Sequence, residues 1–305
     1  MHLRLLLSLG FTLIFFRVAA QEDAAPIALN FIDLTGAQIR ILDTLDKLPE
    51  ADQKAYVLDS LYRPYSEIWD AYWSTPDSLL EWVSTTGMPQ LSFFRNRMQR
   101  VGVEKVRQYW GEALAEVLDL TGMAPTGACI LFFGPGTQSS RISDSGALLL
   151  DLNFPELNNA VIIGELLPHQ LSKQLYFEQQ RENFGELSEL INAGLACHVT
   201  YQLRKGNLTK AQALGFSEEA FTYCIREEDK LFLALSKMLK SGNTPTLAVE
   251  KDTGPDRIKL PEEIQYYLGY RIVESYAELH GQSAWNALFK LPPLEVVRQG
   301  GLLLD

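Results

Sequence analysis

The chain has 305 residues, a net charge of −11 at neutral pH, 47% hydrophobic residues and three cysteines. An acidic protein repels phosphate backbones, so a nucleic-acid partner is not expected. Cys129, Cys197 and Cys224 lack metal-type spacing and each sits in an apolar setting. Buried free thiols are therefore the default, with at most one internal disulfide as the alternative.

The first residues read as a targeting segment. A basic lead, Met1 to Arg4, precedes the twelve-residue apolar run Leu5 to Phe16, and Val18-Ala19-Ala20 supplies small residues for cleavage. Residues 1–20 are thus expected to be a cleavable secretory signal, with an uncleaved anchor as the alternative. Gln21 follows the expected cut where a lipid-modified protein would carry Cys. Cleavage removes Arg4 and Arg17 and no acid, taking the net charge from −11 to −13. No later stretch reaches a membrane-spanning length of apolar residues. The expectation is an exported protein, periplasmic or extracellular, not integral to a membrane once the signal is removed.

Residues 21–30 read as a flexible leader, and residues 31–126 as an N-terminal helical region. "LTGAQIRILDTLDKL", "ADQKAYVLDSLYRPYSEIWDAYW", "PDSLLEWVSTT" and "VEKVRQYWGEALAEVLDLTG" repeat apolar residues at spacings of three and four. Turns are expected at Pro64, Pro76 and Gly122. Tyr62, Tyr65, Trp69, Tyr72 and Trp73 recur at helical intervals, a pattern that predicts core packing before it predicts a binding strip.

The pattern changes at Gly127, where a second region, 127–305, begins. "ACILFFG" and "GALLLDLNF" predict two neighbouring strands joined by the loop "PGTQSSRISDS". Gly134-Pro135-Gly136-Thr137 reads as a turn, since no helix with a phosphate-binding Lys follows. Helices resume with "VIIGELLPHQLSKQLYFEQQ", in which Pro168 marks either a first turn or a kink. "ELSELINAGLACHVTYQLRKG" is expected to stop at Gly206, and "SEEAFTYCIREEDKLFLALSKMLKSG" to start on a Ser217 cap. The polar loop "NTPTLAVEKDTGPDRIKLP" precedes "EEIQYYLGYRIVESYAELHG", and further helices close the chain. The fold class is α+β, predominantly helical, with a small β-sheet between an N-terminal helical region and C-terminal helices, the two regions packed as one unit.

One helix carries candidate chemistry. At 100° per residue, Lys173 lies about 40° from His169, with Leu166, Gln170 and Phe177 on the same side. Leu167, Leu171 and Leu175 form the opposite stripe, so this helix is expected to be buried. From spacing alone, His169 reads first as a satisfied core histidine.

Four patterns taken in order add a second reading. "ILFFGPGTQSSRISDSGALLLDLN", "LLPHQLSKQLYF", "LINAGLACHV" and "YYLGYRIVESYAELHGQS" resemble an uncharacterised bacterial family of predicted zinc-dependent proteases of the gluzincin type. "LGFSEEAFTYCIREEDKLFLALSKML" with "LGYRIVESY" resembles the gliding-motility lipoprotein B group. The resemblance spans residues 127 to 300 and implies a zincin-like fold. Such proteases carry H-E-x-x-H on one helix and E-G-L-A on the next: two imidazoles and a Glu hold zinc, and the Glu after the first His activates water. By this resemblance His169 matches the first ligand, Gln170 the base, Lys173 the second ligand and Ala193 the third.

Every departure removes a function. Gln170 cannot accept a proton from water. Ala193 has no donor atom. Lys173, if protonated, repels a dication by roughly 8 kcal/mol before screening at an effective dielectric near 20 and about 4 Å. Zinc is therefore not expected, nor any other cofactor. The resemblance implies a pseudoenzyme that binds a peptide or protein, or forms part of an envelope assembly. The alternative is a metallopeptidase-like hydrolase with a rearranged site, Glu165–His169–Glu189. Lys173 is expected to occupy the missing cation's space and to pair with Glu165, Glu186 or Glu189. Tyr267, Tyr270 and Arg271 are candidate cleft residues, since a phenol or guanidinium can stabilise an oxyanion. Ordinary packing of an aromatic helix is the other reading of Tyr267 and Tyr270.

Overall fold

The computed structural model describes residues 31–73, 75–241, 264–281 and 284–302. The expected signal over 1–20, the leader over 21–30 and the polar loop over 243–261 lie outside the described residues. None of the described helices is long and apolar enough to cross a membrane.

Four strands make the sheet: β1 (Phe31–Asp33), β2 (Cys129–Phe132), β3 (Ser140–Ile142) and β4 (Leu148–Asp151), in the order β1-β2-β4-β3. β1, β2 and β4 are parallel, with Phe31 opposite Cys129 and Cys129 opposite Leu148; β3 runs antiparallel along β4. Every residue of β2 and β4 is buried. Their unbroken apolar runs follow from this, because a strand alternates only where one face meets water.

The two runs are neighbours, as their composition predicts. Two other expectations are corrected. The connecting segment is not all loop, since it contributes β3. Phe31–Asp33, read as the start of a helical stretch, is a strand, so the sheet draws on both regions of the chain. Three residues carry no period of their own, and ladder bonds to a distant neighbour decide their state.

The N-terminal helices are α1 (Thr35–Leu45), α2 (Glu50–Val57), α3 (Ser66–Asp70), α4 (Pro76–Trp82), α5 (Leu91–Val101) and α6 (Val103–Thr121). Asp33 starts α1 by accepting the Thr35 amide at 2.9 Å. Pro64 sits in a 3-10 turn between α2 and α3, and Pro76 opens α4 behind the Thr75 cap. Gly102 and Gly122 end α5 and α6 with φ of 69° and 73°, a left-handed backbone that glycine adopts without steric cost. The aromatic run packs on the core. Trp69 is fully buried, meets Phe132 edge-on at 5.7 Å and donates its indole N–H to the Leu61 carbonyl, while Tyr62, Tyr65, Tyr72 and Trp73 lie half-buried against the core.

The Gly134–Gly136 turn is organised by a buried carboxylate and leaves no phosphate cradle. Asp151 accepts from the amides of Gly134 and Gly136, each at 2.7 Å, and of Asn153 at 2.8 Å. Burial pushes its pKa up, while those three donors and Arg97 oppose the shift. A β-carbon at Gly134 would lie 2.6 Å from the Asp151 carboxylate, so the turn closes only on glycine.

After the sheet come α7 (Ala160–Gln180), α8 (Glu186–Leu203), α9 (Lys210–Ala213), α10 (Glu218–Arg226), α11 (Glu228–Ser241), α12 (Ile264–His280), α13 (Ala284–Lys290) and α14 (Pro293–Gln299). α7 starts at an Asn159 cap, which puts Pro168 well inside the helix. The stretch opened by Ser217, expected as one helix, breaks at Glu227 into α10 and α11. α7 packs against β3, β4, α6 and α8, and α8 packs against α12. Buried residues of both regions join one hydrophobic core.

Within that core α8 and α12 cross backbone to backbone. A β-carbon on Gly194 would stand 1.9 Å from the Gly269 carbonyl carbon, and one on Gly269 would stand 2.0 Å from the Leu190 oxygen. Neither can be accommodated by a side-chain rotation. Gly194→Ala and Gly269→Ala are each expected to lower the unfolding free energy by about 3 kcal/mol or more, read from urea midpoints. Gly111→Ala in α6, which meets nothing within 4 Å, is the control and should raise stability by roughly 0.5–1 kcal/mol.

Candidate functional site

α7 and α8 lie side by side, tied where the Asn192 amide approaches the Lys173 carbonyl at 3.4 Å. This brings together the helices that carry His169, Gln170, Lys173 and Ala193. Gln170 and Ala193 are buried, at 8% and 5% exposure. His169 and Lys173 are half-buried. Desolvation pushes the His169 pKa down to about 3, and the Lys173 charge one turn away adds to the shift. The imidazole is neutral at neutral pH and has a lone pair to offer.

Lys173 does not meet the carboxylates expected of it. Its ammonium lies over the Tyr266 ring of α12, 5.7 Å from the centroid, in a cation–π contact. Glu165, Glu186 and Glu189 are all exposed, and none is ion-paired with Lys173 among the described residues. Water solvates three surface carboxylates well, and reaching inward would cost them that hydration. The described residues contain no group of three His, Cys, Asp or Glu side chains able to hold a metal ion. The rearranged Glu165–His169–Glu189 set is accordingly not gathered there.

Tyr267, Tyr270 and Arg271 do come together, but around different partners. Tyr267 donates its phenol to Glu228 of α11. Tyr270 donates to Glu274 at 2.8 Å, and Arg271 bridges Glu228, at 2.7 Å, and Glu274. Lys210 of α9 adds a second cation to Glu274, at 2.7 Å. Burial raises the pKa of both tyrosines and the carboxylates beside them raise it further, so both stay protonated as donors. Burial also acts to raise Glu228 and Glu274. Arg271 and Tyr267 outweigh it at Glu228; Lys210, Tyr270 and Arg271 do so at Glu274, and both carboxyls end below their ordinary value. With their protons directed at carboxylates, the two phenols serve as structural donors rather than oxyanion donors.

Four members of this cluster escape sequence reasoning: Glu228, Glu274, Lys210 and His198. Glu274 was within reach, since it stands three residues after Arg271 and four after Tyr270. Glu228 and Lys210 arrive from other helices and carry no local signal. His198 lies about 140° round α8 from Ala193 and is 2% exposed. Its ring meets Tyr270 edge-on and stacks on Trp285, each at 5.3 Å. Burial pushes its pKa down to about 4, with Glu274 opposing and Lys210 assisting.

A scan against protein-family models matches none to this chain, and neither curated proteins nor solved structures give a match.

A histidine whose pKa is lower folded than unfolded stays neutral in the fold while the unfolded chain takes up a proton. Stability contributed by neutral His198 is therefore present above pH 6.5 and is lost as pH falls towards about 4. The loss is on the order of 3 kcal/mol. Urea midpoints measured at steps down that range should fall, and His198→Asn should show a shallower slope.

Proposed function

We propose that this protein is an exported, non-catalytic relative of zinc-dependent proteases, built on a zincin-like fold and acting by binding a peptide or protein. The observation that carries this reading is the pairing of α7 with α8. The positions corresponding to base and third ligand, Gln170 and Ala193, are buried without acid–base or ligand chemistry. The position of the second ligand holds the Lys173 cation beneath an aromatic ring.

The physical case is one of exclusion followed by retention. A dication held by His169 alone, beside an ammonium, lacks the ligand count and the charge balance of a catalytic zinc site. Hydrolysis of a peptide bond needs an activated water, and Gln170 has no basicity to supply it. What remains is a neutral imidazole, a cation and a tyrosine ring at the junction of three helices, suited to holding a polar chain without cutting it. The basic lead and apolar run of residues 1–20, which resemble a secretory signal, support a site of action outside the cytoplasm.

Elemental analysis of the purified mature chain tests the loss of the metal. Far less than one zinc per chain is expected, with no chelator-sensitive peptidase activity; one tightly held zinc with such activity would overturn the reading. The ancestry has its own test. Gln170→Glu, Lys173→His and Ala193→Glu together should create a site that takes up about one zinc per chain. A folded triple variant that binds no metal would count against the zincin-like assignment.

A further inference from the structure

We propose that the cleft enclosed by α8, α9, α12 and α13 is a second binding site, shaped for a small zwitterion: a free amino acid or a dipeptide. The cleft has a volume of about 370 Å³, and His198, Lys205, Lys210, Glu274, Glu278 and Trp285 line it. That volume lies at the small end of ligand pockets, enough for a metabolite and too little for a helix or a folded partner. It shares no residue with His169, Gln170, Lys173 and Ala193, so it neither needs nor excludes the reading above.

The floor is already balanced in charge. Glu274 is 4% exposed and takes Lys210, Tyr270 and Arg271 on its two oxygens, leaving little capacity for a ligand. The available charges are at the rim. Lys205 follows α8, and Glu278 stands one turn beyond Glu274 on α12; both line the cleft. Both are exposed, and neither enters an ion pair among the described residues. A ligand that carries both a carboxylate and an ammonium matches a lining with one such cation and one such anion. A dianion or a dication would meet repulsion from one of them.

His198 lines the inner wall. Its Nδ1 is buried beneath the accessible surface without a hydrogen-bond partner among the described residues, and its Nε2 has only a 3.5 Å approach to Gln202. An unpaired buried nitrogen costs about 1–3 kcal/mol, so a native site that keeps one requires an explanation. The imidazole is neutral at neutral pH and adds no charge to this wall. Trp285 stacks on this ring and fixes it, while Leu120 and Ala277 offer apolar contact for a side chain.

Calorimetric titration of the mature chain tests the site. The probes are the twenty common amino acids supplied singly, alanyl-alanine, and the doubly blocked N-acetyl-alanyl-alanine amide. Saturable heat is expected from at least one zwitterion below about 10 mM, with none from the blocked compound. Response to amino acids alone assigns the free metabolite; response to alanyl-alanine assigns a dipeptide. Lys205→Met and Glu278→Gln, both at exposed positions, should each weaken binding about tenfold while leaving the melting curve unchanged. Three results would overturn the proposal: no saturable heat from any zwitterion, equal binding of the blocked compound, or unchanged binding in both variants.

Discussion

The contact on which the later half of the molecule depends is the crossing of α8 and α12 at Gly194 and Gly269. Two helices that carried even alanine at those positions would be held apart by their β-carbons. Bare backbone lets them approach until main-chain atoms touch, and dispersion between closely packed atoms then accumulates along both helices. The distance fixed there sets what the side chains on either side of the crossing can reach. On one side Tyr266 comes under the Lys173 ammonium of α7. On the other, Tyr270 comes edge-on to His198. Both contacts are consequences of one steric fact.

This geometry separates two polar neighbourhoods that the primary structure runs together. Tyr266, Tyr267 and Tyr270 stand on little more than one turn of α12, and they serve different neighbours. Tyr266 belongs with α7, whereas Tyr267 and Tyr270 are committed to Glu228 and Glu274. The second neighbourhood is rich in charge, and that charge is matched: Arg271 and Lys210 against Glu228 and Glu274. This partly buried network favours one docking of α9, α11 and α12, because another arrangement would leave the buried Glu274 without its cations. The first neighbourhood is built differently: a neutral imidazole and a cation on α7, with the Tyr266 ring of α12 against the ammonium.

The legibility of the fold varied with the length of the signal. α6 repeats its apolar stripe over five turns and ends at Gly122, so its limits could be read directly. β2 and β4 showed as short apolar runs, and their neighbour relation followed from the turn chemistry between them. β1 and β3 could not be read, because three residues offer no periodicity and their strand state comes from Cys129 and Leu148 across the ladder. The candidate site was legible in the same uneven way. The spacing of His169 and Lys173 was visible on one helix; the expected ion pair of Lys173 with Glu165, Glu186 or Glu189 was not formed, because those carboxylates face water. Glu274 could have been paired with Arg271 by its three-residue spacing, whereas Glu228, 43 residues away from Arg271, could not.

By itself the sequence determined the helical character, the apolar strands at the centre of the sheet, and the side-chain chemistry carried at His169, Gln170, Lys173 and Ala193 on α7 and α8. Those are local quantities: propensity, period and side-chain functional group. Only the tertiary structure decided which polar groups meet. Lys173 met the Tyr266 ring rather than Glu165, Glu186 or Glu189, and Tyr267 and Tyr270 met Glu228 and Glu274. His198, with no motif of its own, came to line a cleft, its ring against Tyr270 and Trp285. The reason is that burial and pairing depend on the distance between helices, and that distance was set by two glycines far apart in the chain.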